Sequence, residues 1–170
     1  MKKIVAVFLI VIAVLSASGC TTVNTYKANG YDNVSVTCNN TWINVTEGTP
    51  YDLQITNKSA YFSIMAYRLV DLAQGQTPRD IYAAHNEWIK ESRDNCVTVK
   101  NEVTRKSGDN IIVETLFSAE KDSNKNYYDS YLITNEESDT FLWVLITTLP
   151  SMYENTKEEF TSMIESIVLE

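Results

Sequence analysis

A single histidine, His85, and five glycines in 170 residues remove several kinds of chemistry at the outset. One imidazole excludes a multi-His metal site. It leaves His-based acid–base work to a side chain beside an apolar helical stripe, where a packed or rim histidine is the plainer reading. So few glycines, with no Walker loop and no G-x-G-x-x-G, leave little material for a backbone phosphate cradle. Basic residues are short as well: 14 Lys and Arg stand against 22 Asp and Glu, a net charge of −8. A nucleic-acid polyanion is repelled by such a surface, so nucleic acid is not an expected partner. No apolar run reaches the about 20 residues that a membrane-spanning helix needs. The acidic groups Glu120 with Asp122, and Glu136-Glu137 with Asp139, lack EF-hand spacing and read as solvated turns. No metal, cofactor or catalytic residue is expected.

The longest apolar run, Ile4 to Leu15, follows Met1-Lys2-Lys3 and leads to Ala17-Ser18-Gly19-Cys20. A basic start, a short apolar stretch and small residues are the layout of a signal peptide. With a cysteine closing it, the segment resembles the lipobox of prokaryotic lipoproteins, with Ala17 where leucine is commonest. That resemblance implies acylation of Cys20, which becomes the mature N-terminus. The alternatives are an ordinary secretory signal or a retained single anchor. Loss of residues 1–19 takes Lys2 and Lys3 and no acid, so the net charge moves from −8 to −10. Membrane contact is then expected only through the lipid. Residues 20–30, polar and short of large apolar groups, read as a flexible tether, and 31–170 as one domain.

Cys38 and Cys96 remain in a domain sent out of the cytoplasm, where oxidation is permitted. A Cys38–Cys96 disulfide is the leading reading, and its 58-residue separation would contribute about 4 kcal/mol by loop closure. Two buried free thiols are the other reading. Neither has a second Cys or His at metal-ligand spacing.

Val34 to Cys38 alternates with period two, and Asp52–Thr56 and Tyr61–Leu69 flank a hairpin composition at Asn57 to Ala60. Thr77-Pro78-Arg79-Asp80 supplies a helix start, and Ile81, Ala84, Trp88 and Ile89 form a stripe on a helix running to about Arg93. Four more strands are read at Val97–Val103, Ile111–Phe117, Tyr127–Ile133 and Phe141–Leu149. The last is apolar on both faces and so belongs in the sheet centre. Pro150 stops it, and Ser151 with Glu154 makes a capping box for a helix buried through Phe160, Met163, Ile164, Ile167 and Val168.

The expected fold is therefore α+β, an antiparallel sheet of about six to seven strands flanked by helices. The pattern resembles the PsbP-like and Mog1-like domains, with the DcrB-type lipoproteins among them. The resemblance rests on Tyr26 to Gly30 leading to a strand and then Trp42, on the helix carrying Trp88, and on Phe160 with Ile164-Glu165-Ser166-Ile167 closing the domain. It implies an accessory or binding protein with no set activity. Together with the leader, this gives an expectation: a lipid-anchored, extracytoplasmic protein of the cell envelope with a protein or envelope component as partner. The alternative is an envelope glycan hydrolase using a carboxylate pair. Tyr26, Tyr31, Tyr51, Tyr127, Tyr128 and Tyr153 fall at element ends or turns, where they either present a recognition surface or seal the sheet ends. Sequons at Asn33, Asn39, Asn44 and Asn57 matter only where export is coupled to N-glycosylation.

Overall fold

The computed structural model describes residues 22–169. Among these residues are ten strands, two α-helices and a short 3-10 helix (Leu69–Asp71): β1 (Val23–Ala28), β2 (Tyr31–Asn39), β3 (Ile43–Asn44), β4 (Leu53–Thr56), β5 (Ala60–Arg68), α1 (Pro78–Glu91), β6 (Asp94–Ser107), β7 (Asn110–Lys121), β8 (Asn124–Asn135), β9 (Thr140–Thr148), α2 (Pro150–Glu165) and β10 (Val168–Leu169). A seven-stranded antiparallel sheet has the order β3-β4-β5-β9-β8-β7-β6, and a three-stranded sheet the order β1-β2-β10. The expected α+β class holds, and β9, apolar on both faces, is the central strand of seven.

Alternation along β9 divides the core in two. Leu142, Val144 and Ile146 face one side, with Phe62 and Ile64 of β5, and are covered by Val34, Val36 and Cys38 of β2 and by Phe160, Met163 and Ile164 of α2. Phe141, Trp143 and Leu145 face the other, under Tyr82 and Ile89 of α1. Trp42 fills the first core, edge-on to Phe62 and Phe160, and its Nε1–H donates to Glu159 Oε1 at 2.7 Å.

The strands run between two ends. At the proximal end β1 begins (Val23 opposite Asn39), the β4–β5 turn (Asn57 to Ser59) and the β7–β8 hairpin turn back, and β9 gives way to α2. At the distal end lie the β1–β2 and β6–β7 hairpins, where Gly30 (φ 77°) and Gly108 (φ 57°) take the left-handed backbone, together with the β8–β9 turn. Hydrogen bonds tie the two sheets together at that end, from Asn29 N–H to Asp52 O (2.7 Å) and from Asn135 Nδ2 to Leu169 O (3.2 Å).

Four expectations are corrected. Residues 23–28, read as tether, form β1, paired to β2 over Val23–Ala28, so the domain begins at Val23 rather than residue 31. The buried face of α1 is Tyr82, Asn86 and Ile89, with His85 half-buried, whereas Trp88 is 44% exposed. Polar side chains take this face because the sheet supplies partners: Tyr82 Oη–H donates to Thr115 Oγ1 (2.9 Å) or Ser130 O (3.1 Å), and Ser130 Oγ–H donates to Asn86 Oδ1 (2.6 Å). The capping box belongs to α1, where Thr77 and Asp80 bond reciprocally; α2 starts with Pro150 directly after Leu149, and Ser151 is already inside the helix. Val168, read as the end of α2, lies in β10.

Candidate functional site

Cys20, the residue expected to carry lipid, lies outside the described residues. Cys38 and Cys96 are both free thiols. The expected bridge is not formed, because the seven-stranded sheet stands between them: Cys38 packs in the core under α2, and Cys96 packs against the core under α1. Burial, with help from Glu159, pushes the Cys38 thiol up to about 11, so it behaves as a small apolar residue. The acidic groups expected as turns lie in the β7–β8 hairpin and the β8–β9 turn, and no set of three or more potential metal-ligating side chains gathers among the described residues.

The tyrosines mostly seal. Tyr26 Oη–H donates to Trp42 O at 2.8 Å, Tyr51 lies tilted on Trp143, and Tyr127 stands edge-on to Tyr153. Tyr128 is buried beneath Arg93, whose guanidinium sits 4.2 Å from that ring and 4.4 Å from Trp88. His85 is packed as expected. Its ring stacks on Trp143 at 3.7 Å and 3°, and its Nε2 lies 2.6 Å from Tyr67 Oη. Burial holds it down to about 4, so the imidazole is neutral at physiological pH.

Of a second polar cluster, only Tyr153 was among the residues singled out in the sequence. Between α2 and the β6–β7 edge runs an open cleft of about 670 Å³ whose lining includes Lys100, Arg105, Glu114, Tyr131, Tyr153 and Lys157. Beneath it, Asp129 of β8 is 1% exposed and accepts from Tyr131 Oη–H at 2.6 Å and Tyr153 Oη–H at 2.8 Å, both on Oδ2, while Oδ1 has no hydrogen-bond partner. Burial raises its carboxyl to about 7, aided by Glu114 and opposed by the two hydroxyls and Lys100. Burial and the neighbouring Asp129 raise both phenols in turn, so they stay protonated as donors. Glu114, opposite Tyr131 in the ladder, pairs with Lys100 at 2.5 Å. The cluster can hold a proton near neutral pH. It does not offer two carboxylates to one sugar bond, since Asp129 is covered and Glu114 is engaged. The sequence signal was an acid inside each of two apolar strands, Ile111-Ile112-Val113-Glu114 and Tyr127-Tyr128-Asp129; only the β7–β8 register brings them together.

An antiparallel seven-stranded sheet covered by one helix on one face, and by a helix and a small second sheet on the other, is a PsbP/Mog1-like fold. Among solved structures, cyanobacterial PsbP (CyanoP) from Synechocystis matches with a TM-score of 0.63 at 14% identity, over 91% of this chain and 96% of that one. LpqN, involved in cell envelope biogenesis of Mycobacterium tuberculosis, matches at 0.61 and 9% identity, over 86% and 91%. The Saccharomyces cerevisiae Ran-binding protein Mog1p matches at 0.58 and 12% identity, over 87% and 96%. No family model matches the chain, and no curated protein does. At these identities the likeness shows the fold.

Proposed function

We propose that the chain is a lipid-anchored, extracytoplasmic accessory or binding protein of the cell envelope, held by acyl chains on Cys20. The observation that carries this reading is the junction of leader and fold. The cysteine that closes the apolar run stands three residues before Val23, where the first strand begins, so cleavage at Cys20 leaves the whole described domain intact. Two or more acyl chains anchor stably where one does not, each buried CH₂ contributing about 0.8 kcal/mol. The envelope assignment is in keeping with LpqN's involvement in cell envelope biogenesis, and a protein partner with the Ran binding of Mog1p.

Intact-mass measurement of the mature protein tests it. A chain beginning at Cys20 with diacylglycerol mass is expected, and Cys20→Ser should lose that mass and leave the membrane fraction or remain unprocessed. A wild-type chain that begins elsewhere and carries no lipid would refute the reading. A partner is then sought by cross-linking and recovery from native membranes.

A further inference from the structure

The net charge of −10 expected for the mature chain argues against contact with anionic lipid, yet that charge is unevenly placed. Exposed acids outnumber exposed bases at the distal turns, Asp32, Asp71, Asp109, Glu136, Glu137 and Asp139 standing against Lys27, Arg68 and Lys106. The proximal end carries Lys58, Lys121, Lys125 and Arg93 against Asp94, Glu120 and Asp122, and Lys58, Arg93, Lys121 and Asp122 line a shallow concavity of about 620 Å³ with Tyr61 and Leu149. Four exposed large apolar side chains sit at this same end, Val23 (59%), Ile43 (52%), Tyr61 (50%) and Leu149 (47%), whereas the distal end carries Leu69 and Val70 beside Asp71. Apolar and tyrosine side chains interleaved with lysine are the composition of a surface that rests in a lipid headgroup layer.

Two lengths decide what that surface meets. From Cys20 to Val23 is three residues, a reach of about 10 Å at full extension, so an acylated Cys20 keeps this end within reach of the headgroups. β8 spans Asn124–Asn135, and twelve residues in a strand cover about 40 Å. The distal acids therefore lie several screening lengths from the bilayer, since the Debye length is about 8 Å at physiological salt. A bilayer beside this end would meet the local charges of the near end rather than the charge of the whole domain.

We propose that the proximal end, built from the β4–β5 and β7–β8 turns with Val23, Ile43, Tyr61 and Leu149, is a membrane-contact surface for anionic phospholipid headgroups. It orients the domain with its distal, acidic end outward. This rests on the Cys20 anchor proposed above, and the test reads the two separately. The acylated mature protein is placed on vesicles of phosphatidylcholine alone or mixed with phosphatidylglycerol. Acyl mass and flotation report the anchor; hydrogen exchange reports the surface. Exchange at 57–61 and 121–125 should slow on the anionic vesicles and not at the distal turn 136–139, and added salt should reverse the effect. Lys58→Gln and Lys121→Gln should each weaken the anionic-lipid-dependent protection about fivefold while flotation is unchanged. Equal exchange on both vesicles with acyl mass present, or protection at the distal turn, would overturn the surface and leave the anchor standing. Absence of acyl mass would overturn both.

Discussion

Replacing Asp129 with asparagine should make the protein more stable above neutral pH and leave it nearly unchanged in acid. The buried carboxyl has its pKa raised from 3.8 to about 7, first by burial. The folded state therefore holds a proton between those values that the unfolded chain has released. Stability is present in full below about pH 4 and is lost as pH rises toward 7, at about 1.4 kcal/mol per pH unit. The loss reaches about 4 kcal/mol at pH 8, a large share of the 5–15 kcal/mol typical of a domain. Asparagine keeps the shape and cannot ionise. Its carbonyl oxygen accepts from Tyr131 and Tyr153 as Oδ2 does, and its amide takes the place of Oδ1, which has no partner to lose. The assay is urea unfolding of wild type and Asp129→Asn, followed by tryptophan fluorescence, at a series of pH values from 4 to 8. Titrations common to both chains cancel in the difference. Near pH 4 the two should agree to about 1 kcal/mol, the cost of one unmatched amide. By pH 8 the variant should lead by up to about 4 kcal/mol. A difference that does not change with pH would refute the argument, for Asp129 would then not be the group taking up the proton.

His85 works in the opposite direction. Its folded pKa lies below the ordinary 6.5, so its contribution is present above that value and is lost as pH falls toward 4; the imidazole proton shifts should titrate near 4, and a midpoint near 6.5 would show that the stack on Trp143 does not bury the ring. The cysteines should both alkylate in denaturant without reductant, with no mass deficit of two hydrogens. In the native state half-buried Cys96 should react well before buried Cys38, and an oxidised pair would contradict the separation of the two cores by the sheet.

Much of the frame was legible because the signals were local. Thr77-Pro78 set the start of α1, and the run Phe141 to Ile146 marked the central strand without any knowledge of its neighbours. What failed depended on partners. β1 has half its positions exposed and only one fully buried side chain, so it reads as linker until β2 lies beside it. The face of α1 was misjudged because apolar letters were taken to mark burial, while Tyr82 and Asn86 are buried by hydrogen bonds to Thr115 and Ser130. Asp129 and Glu114 stand fifteen residues apart in sequence, on neighbouring strands whose register no single strand pattern reveals. The leader and lipobox expectation, by contrast, rests on consecutive positions that lie outside the described residues, so the fold does not test it.

The pairing of β1 with β2 has a mechanical consequence. β1 starts at the end nearest Cys20 and runs away from it, antiparallel to β2, with pairs from Val23↔Asn39 to Ala28↔Tyr31. Its ladder hydrogen bonds lie across the strand direction. A pull on an acylated N-terminus, with the domain held elsewhere, is directed along β1 and loads those bonds together in shear rather than peeling them one at a time. β2 is gripped on its other side by β10, so the strand that takes the load is braced by the chain's far end. With the anchor proposed at Cys20, β1 would act as a clasp that carries tension from the membrane into the fold.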